Sequence, residues 1–290
     1  MQQNLKPKPD GVSRRNVFVE QGPAQLLAAY SFLKKNRHLI MEMTVRDLRD
    51  RYVSQWFGMA WSVFHPIFLV VVYVAVFKFV FQVRLGDTIT LPGDYTSLVI
   101  SGLIPWLVMQ ESLPRGTSCI IGHAALIKQI SFPIEILPIK SALASMPNLI
   151  ILTGCLFFYN IVTGTLPPLS AVLLPVYWVL LLGFLIGMNF ILGTIGVFMR
   201  DVKDFLQLVF TAGLFLSPIL YIPNLVPGWL NAIFYLNPFS YVIWPNKDVV
   251  FYGEIAHPVA WIVFIGFTIL SLILGIRLMQ KLKPQFGDVL

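Results

Sequence analysis

The chain has 290 residues, 57% hydrophobic and 12% charged, with a formal net charge of +7. A soluble domain carries roughly 25% charged residues, and no polar stretch after residue 58 is long enough to be one. The composition excludes an ordinary soluble enzyme or binding domain and predicts an all-α integral membrane protein. Its two cysteines, Cys119 and Cys155, lie in or beside apolar runs. They are too few for a disulfide framework or a zinc site and read as buried free thiols, so no metal site is expected.

Residues 1–23 hold Pro7, Pro9, Gly11, Gly22 and Pro23 among scattered charges, which predicts a flexible cytoplasmic tail. The first strong apolar run begins near Met59, beyond roughly the first 30 residues where a secretory signal would lie. The N-terminal segment is therefore expected to stay in the cytoplasm, with the first span as an uncleaved anchor. From Ala24 onward, Leu26, Leu27, Tyr30 and Leu33 share one helical face, and Lys34, Lys35 and Arg37 follow. Such a basic amphipathic helix either lies in the membrane surface or docks on a partner. The helical register continues through Met41, Val45, Leu48 and Tyr52, with Arg46/Asp50 and Asp47/Arg51 as i,i+4 ion pairs worth a few tenths of a kcal/mol each. Residues 24–58 thus form a predicted interface helix and lead-in, and 59–290 a transmembrane domain.

A spanning helix needs about 20 mostly apolar residues. Six are predicted: 60–81, 96–114, 136–161, 171–198, 204–222 and 258–279. An even number puts both termini on one side. Eighteen of the 21 Lys and Arg then fall on that side, leaving Arg84 and Lys247 opposite and Lys78 near the outer end of the first span. Positive residues stay inside, so both termini are expected in the cytoplasm. The basic charge is thereby assigned to topology and anionic lipid, and not to nucleic acid.

Glu111 and Arg115, i,i+4 near the inner end of the second span, are either an intrahelical ion pair or part of a channel mouth. Lys78 and Lys140 lie near span ends and are expected to snorkel. No His, Asp or Glu series crosses the membrane, which argues against a proton-coupled carrier. Gly183 and Gly187 form a small-residue packing motif in the fourth span. The 23 Phe residues are expected in interfacial belts or facing lipid, and Trp56, Trp61 and Trp106 are either interfacial or channel-lining. Before the last span, Pro223, Pro227, Gly228, Trp229, Asn237-Pro238 and Pro245 punctuate apolar stretches. Neither 229–236 nor 239–252 is long enough to cross, so two short helices in a re-entrant outer segment, about 223–257, are predicted.

Four groups of residues flank these spans. Arg46-Asp47, Arg51-Tyr52, Ser54, Phe57-Gly58, Trp61 and Pro66 lead into the first. Leu126-Ile127-Lys128, Phe132-Pro133 and Leu137-Pro138 follow the second. Arg200-Asp201-Val202-Lys203-Asp204 joins the fourth and fifth, with Ser217-Pro218 after it. Asn237-Pro238 and Lys247-Asp248 precede the sixth. In this order they resemble the membrane subunit of polysaccharide-export ABC transporters, the family that carries O-antigens, capsules and teichoic acids. The family usually has Leu at the position of Phe57 and more often Arg at that of Lys247. The resemblance covers about residues 25–290.

It implies a homodimer working with two ATPase subunits on a lipid-linked polysaccharide, O-antigen first among the cargoes, at a bacterial inner membrane. It also assigns an ATPase-interface role to Lys34, Lys35, Arg37, Lys128, Gln129 and Phe132. Arg200 and Asp201 take the same role or pair with each other. Arg46, Arg51, Tyr52, Trp56, Trp61, Glu111 and Arg115 are assigned to the channel mouth, and Trp229, Asn237, Pro238 and Lys247 to an outer gate. The chain has no Gly-x-x-x-x-Gly-Lys-Ser/Thr loop to cradle phosphates. It is therefore expected to bind no cofactor itself, with ATP and Mg held by the partner ATPase. Two other readings are weaker. A drug or small-lipid exporter sits poorly with the Arg-Tyr lead-in and the Phe-Pro loop. A membrane-embedded glycan enzyme would need a carboxylate pair, whereas Asp47, Asp50, Asp201 and Asp204 each have a basic neighbour and no nearby His.

Overall fold

A computed structural model describes residues 23–51, 56–81, 92–129, 132–221 and 226–289, and all regular structure among them is helical. The long elements are α1 (Pro23–Asp50), α2 (Trp61–Ala75), α3 (Tyr95–Ser118), α6 (Met146–Val162), α7 (Leu174–Phe198) and α11 (Pro258–Leu282). Between them lie the shorter α4 (Ala124–Gln129), α5 (Ile136–Leu143), α8 (Val202–Gly213), α9 (Gly228–Leu236) and α10 (Ser240–Lys247), and α12 (Phe286–Val289) ends the chain. The predicted tail lies outside the described residues up to Gly22.

Two units are distinguished, residues 1–39 and 40–290. In the first, α1 starts at a proline, which suits the opening turn of a helix because its missing N–H is not needed there. Lys34, Lys35 and Arg37 are exposed on it. The second unit is a helical bundle with a single large core, built on α3, α6, α7 and α10.

Four segments are long and apolar enough to cross a membrane: Trp61–Phe79, Ile136–Val162, Leu169–Phe198 and Pro258–Gln285. Two predicted spans depart from that pattern, each for a physical reason. The predicted second span is α3, which is long enough but carries Gln110, Glu111, Arg115 and several Ser and Thr. It is the central helix, with Leu98 through Trp106 buried without a gap. A helix surrounded by protein has no need of the lipid-facing apolarity that hydropathy measures. The predicted fifth span, 204–222, is helical only as far as Gly213, and 12 residues of helix reach about 18 Å. The chain then continues as turns through Leu214–Leu220, with Ser217, Pro218 and Ile219 buried.

Side-chain contacts define two ends of the bundle. At one, Asp94 caps α3 by accepting from the Ser97 amide at 3.0 Å, and the Tyr159 hydroxyl near the end of α6 donates to Asp94. Lys78 sits there over the Tyr159 ring at 5.5 Å, a cation–π contact where snorkelling was predicted. The Tyr95 hydroxyl donates to the Leu220 carbonyl at this same end, and the Ser170 hydroxyl donates to that of Val249. At the other end, Phe198 meets Phe286, and Lys283 pairs with Glu135 at 2.6 Å.

α7 and α11 pack backbone to backbone. A Cβ at Gly187 would lie 2.4 Å from Ser271 Oγ and 2.6 Å from the Leu272 nitrogen, and one at Gly183 would lie 2.9 Å from Thr268 Cγ2. The Gly183/Gly187 pair therefore serves the close packing its spacing suggested. Trp106 is neither interfacial nor exposed. It is buried edge-on against Phe210 and Phe239, at 5.1 and 5.7 Å. Both cysteines are free, Cys119 buried and Cys155 half-buried.

The segment before α11 forms two short helices, α9 and α10, the second prolonged by a π-helical turn over Asp248–Tyr252. Gly253 ends that turn at φ 81°, a left-handed conformation that costs a glycine nothing. The connecting turn at Phe239 touches Trp106, midway along α3, whereas Phe251 packs on Leu98 near the start of α3.

Candidate functional site

The richest cluster of charge lies where α1 ends, between α2, α3 and the α5–α6 junction. Arg51 is its hub. One guanidinium nitrogen donates to Glu111 at 2.7 Å and to the Ala144 carbonyl at 3.3 Å, and the other donates to Asp47 at 2.8 Å. Ala144 sits at the break between α5 and α6, where a carbonyl is left without its helical partner. Arg51 thus binds three separate elements at once, a use suited to the fixed fork of a guanidinium.

Glu111 is shared further. Arg115, one turn along α3, reaches it at 3.0 Å, and the Asn148 amide donates to its second oxygen at 2.7 Å. The predicted intrahelical pair therefore exists, and it is also part of a network joining α1, α3 and α6. Asp47 accepts from Lys140 at 3.2 Å, and Lys140 lies 3.0 Å from His123 Nε2. Lys140 does not snorkel: it is buried, and its charge is balanced by Asp47.

Burial works to raise the Asp47 pKa, but Lys140 and Arg51 outweigh it and hold the carboxyl below its usual 3.8. Burial and the Lys140 charge together lower the pKa of His123 below its usual 6.5. The sequence did not bring a histidine near Asp47; folding does, through Lys140. An aspartate held ionised by two cations is nevertheless a poor general acid, which weakens the enzyme reading further.

A cavity of about 500 Å³ opens on this cluster, lined by Asp47, Arg51, Arg115, His123, Lys140 and Lys203 among others. A second, of about 430 Å³, shares His65 and Arg115 with the first and extends along Pro66, Leu69, Tyr73 and Leu107. Trp61 lines the first and stacks on Phe57 at 5.8 Å, beginning an aromatic ladder that runs through Phe64 to Phe68. Trp56, fully exposed, extends the ladder at its other end. Arg46 lies outside the network, in an exposed pair with Asp50 at 3.7 Å. Tyr52 lies outside the described residues. Of the seven residues assigned to a channel mouth, Arg51, Trp61, Glu111 and Arg115 are thus brought together around the two cavities.

The remaining assignments fall elsewhere. Phe132 is half-buried; α4 carries Lys128 and Gln129, whose side chains lie outside the described set. Arg200 and Asp201 are exposed at the α7–α8 turn, and no ion pair joins them among the described residues. Trp229 and Pro238 are exposed. Asn237 instead ties the two arms of its region together: its amide donates to the Leu216 carbonyl and to Ser217 Oγ, and its oxygen accepts from the Phe239 amide. Lys247, 2% exposed, donates to the Pro218 and Ile219 carbonyls at 2.6 and 3.2 Å. The Ser217-Pro218, Asn237-Pro238 and Lys247 motifs, distant in sequence, are therefore one hydrogen-bonded unit. Sequence reasoning missed Asp248, which is buried and accepts from His257 and from the Trp261 indole at 2.7 and 3.1 Å.

The profile of the ABC-2 type transporter family matches residues 38–245, most of the bundle just described. The chain belongs to the ABC-2 type transporter family. It is therefore a multi-pass membrane subunit of the ABC transporter type. Two proteins from Klebsiella pneumoniae, each named O-antigen export system permease protein RfbA, are 27% and 26% identical over 253 residues. These cover 87% of this chain and 95% of theirs. A protein of the same name from Myxococcus xanthus is 25% identical over 189 residues, 65% of this chain and 70% of its own.

Proposed function

We propose that the chain is the permease subunit of an ABC exporter that moves a lipid-linked polysaccharide, O-antigen in the first instance, across the bacterial inner membrane. The observation that carries this is similarity along nearly the whole length of relatives named as O-antigen export permeases. Two copies of the chain form the channel, and two ATPase subunits, which hold ATP and Mg, drive it. The chain itself binds no cofactor and hydrolyses nothing.

In this reading the chain crosses the bilayer six times, with both termini in the cytoplasm. The contacts support the two crossings that apolarity leaves open. α3 runs from the Asp94 end to the Arg115 end. The α8 segment leaves from Lys203, beside Arg115, and reaches the Tyr95 end at Leu220. Its non-helical half is packed against Lys247 and α3, the setting in which irregular backbone is tolerated at membrane depth. α9 and α10 then form a re-entrant hairpin from the outer side, its turn at the depth of Trp106, and act as the outer gate.

The Arg51 network is the cytoplasmic coupling point. α1, with Lys34, Lys35 and Arg37 exposed on it, meets the ATPase together with the α4 loop and the Arg200-Asp201 turn. A shift at the end of α1 passes through Arg51 to α3 and to the α5–α6 break. The aromatic ladder of α2 faces the second copy across the channel, where it offers flat apolar surfaces to sugar rings.

Co-expression of the tagged chain with the ATPase encoded beside it tests the reading. The pair is expected to co-purify, and loss of the chain is expected to strand polymer on the cytoplasmic face. A solubilised chain that recruits no ATPase, in cells that still display their polysaccharide, would refute it.

A further inference from the structure

The segment that follows α11 is tied to two distant parts of the bundle. α11 stops at Leu282, and Pro284 turns the chain through a short 3-10 turn, Lys283–Gln285, into α12. The Lys283 ammonium donates to Glu135 at 2.6 Å, across 148 positions of sequence. Phe286 is buried and meets Phe198, the last residue of α7, at 6.1 Å. Glu135 stands at the cap position of α5 but accepts no capping bond there. The first amides of α5, those of Ile136 and Leu137, donate instead to the Pro133 and Ile134 carbonyls. The carboxylate is thereby left to Lys283, and both partners are half-buried, where water screens a pair less than at the open surface.

Both anchor points sit at the roots of cytoplasmic elements assigned to the ATPase. Glu135 comes just after Phe132-Pro133 and heads α5, which carries Lys140 of the Arg51 network. Phe198 comes two residues before the Arg200-Asp201 turn. One short segment therefore grips the α4–α5 loop and the α7–α8 turn together. Its base is stiff, because α11 is locked on α7: a Cβ at Gly275 would lie 2.6 Å from the Gly187 carbonyl oxygen. We infer that residues 283–289 are a strut that holds the loop and the turn in fixed relation, so that the ATPase moves them as one body. The identity of that moving partner rests on the permease reading; the contacts of the strut do not. Lys283, Glu135 and Phe286 are positioning residues. They decide whether a push on the loop reaches α5 and the Arg51 network or is lost as bending of the loop.

Two measurements test the strut. On the detergent-solubilised full chain, Lys283→Gln is expected to speed amide exchange at 134–137 by about fivefold or more, while exchange in the middle of α7 stays as in the parent. In cells that also make the ATPase, Lys283→Gln, Glu135→Gln and Phe286→Ala are each expected to lower displayed polysaccharide by about fivefold or more. The ATPase is expected to co-purify with each variant as before and to hydrolyse ATP at a rate within about twofold of the parent complex. Lys283→Arg and the swapped pair Glu135→Lys/Lys283→Glu are expected to restore both readouts, which a general loss of stability would not allow. Exposed Lys281, in the last turn of α11, serves as control, and Lys281→Gln is expected to behave as the parent does. Each variant is first checked for an unchanged melting temperature, and the charge variants carry the test if Phe286→Ala fails to fold.

Unchanged exchange at 134–137 without the Lys283 charge overturns the strut. Faster exchange with undiminished display also overturns it, since the loop then transmits force without a brace. Loss of ATPase recruitment in the charge variants overturns it in favour of a segment that itself docks on the ATPase. Each of these leaves the permease reading standing. A parent chain that recruits no ATPase, in which Lys283→Gln still loosens the loop, refutes the permease reading and leaves the brace in place.

Discussion

Arg51 and Arg46 lie on the same helical segment and look alike in sequence, each one turn from an aspartate. Their surroundings separate them. The Arg46–Asp50 pair is exposed on both sides, at 81% and 66%, and such pairs contribute little because water and salt screen them. Arg51 and Glu111 retain only 12% and 17% exposure, and removing one partner leaves the other charge stranded. Arg51→Ala is expected to cost roughly 3 kcal/mol, the lower end for breaking a buried pair. It should appear as a clear fall in melting temperature of the solubilised protein, while Arg46→Ala leaves that temperature unchanged.

His123 makes the same cluster sensitive to pH. Its folded pKa lies below the usual 6.5 because burial and Lys140 oppose a second positive charge. As pH falls below 6.5 the unfolded chain takes up a proton that the folded chain refuses, so stability drops there. Asp47 behaves in the opposite sense of charge but the same direction of pH. Its contribution is present above 3.8 and is lost only as pH falls through its lower folded value. Melting temperatures measured between about pH 7.5 and pH 5.5 should therefore decline, and His123→Asn should flatten that decline without altering the acid limb near pH 4.

At the scale of elements, the α7–α11 contact depends on the absence of side chains. Gly187→Ala places a methyl against Ser271 and the Leu272 backbone, and overpacking of this kind costs about 1–3 kcal/mol. Gly154→Ala on α6 meets nothing within 4 Å and should be neutral or stabilising by up to about 1 kcal/mol through helix propensity. Comparing the two by thermal denaturation separates close packing from the general effect of replacing a glycine. α10 is held differently, by Lys247 on two carbonyls of the turn after α8. Lys247→Met keeps the bulk but leaves the Pro218 and Ile219 carbonyls unpaired in a buried site, where each costs about 1–3 kcal/mol. Amide exchange in α10 is expected to accelerate while that in α7 does not.

The whole molecule carries the prediction about sidedness. With single cysteines placed in a Cys-free background, Glu254→Cys before α11 should react with an impermeant maleimide in intact spheroplasts. Lys203→Cys before α8 should react only after permeabilisation. Reversed labelling would contradict the positive-inside orientation from which the cytoplasmic coupling point follows.

Length, apolarity and the distribution of Lys and Arg were enough to make this chain a helical membrane protein, and motifs at the span ends were enough to suggest its family. Those properties are local or additive, so they can be read without knowing what touches what. The short helices α9 and α10 were legible for the same reason, since prolines and length alone forbid a crossing there. What lay beyond the sequence was the pairing of distant residues. Arg51 with Glu111, Asp47 with Lys140 and Lys247 with the turn at Pro218 are separated by 60, 93 and about 30 positions. The burial of Trp106 was not legible, because hydropathy reports what a segment contains and not whether lipid or protein surrounds it. Only the tertiary structure turned scattered charges into one network beside two joined cavities, because charges are tolerated at such depth only where folding brings them their partners.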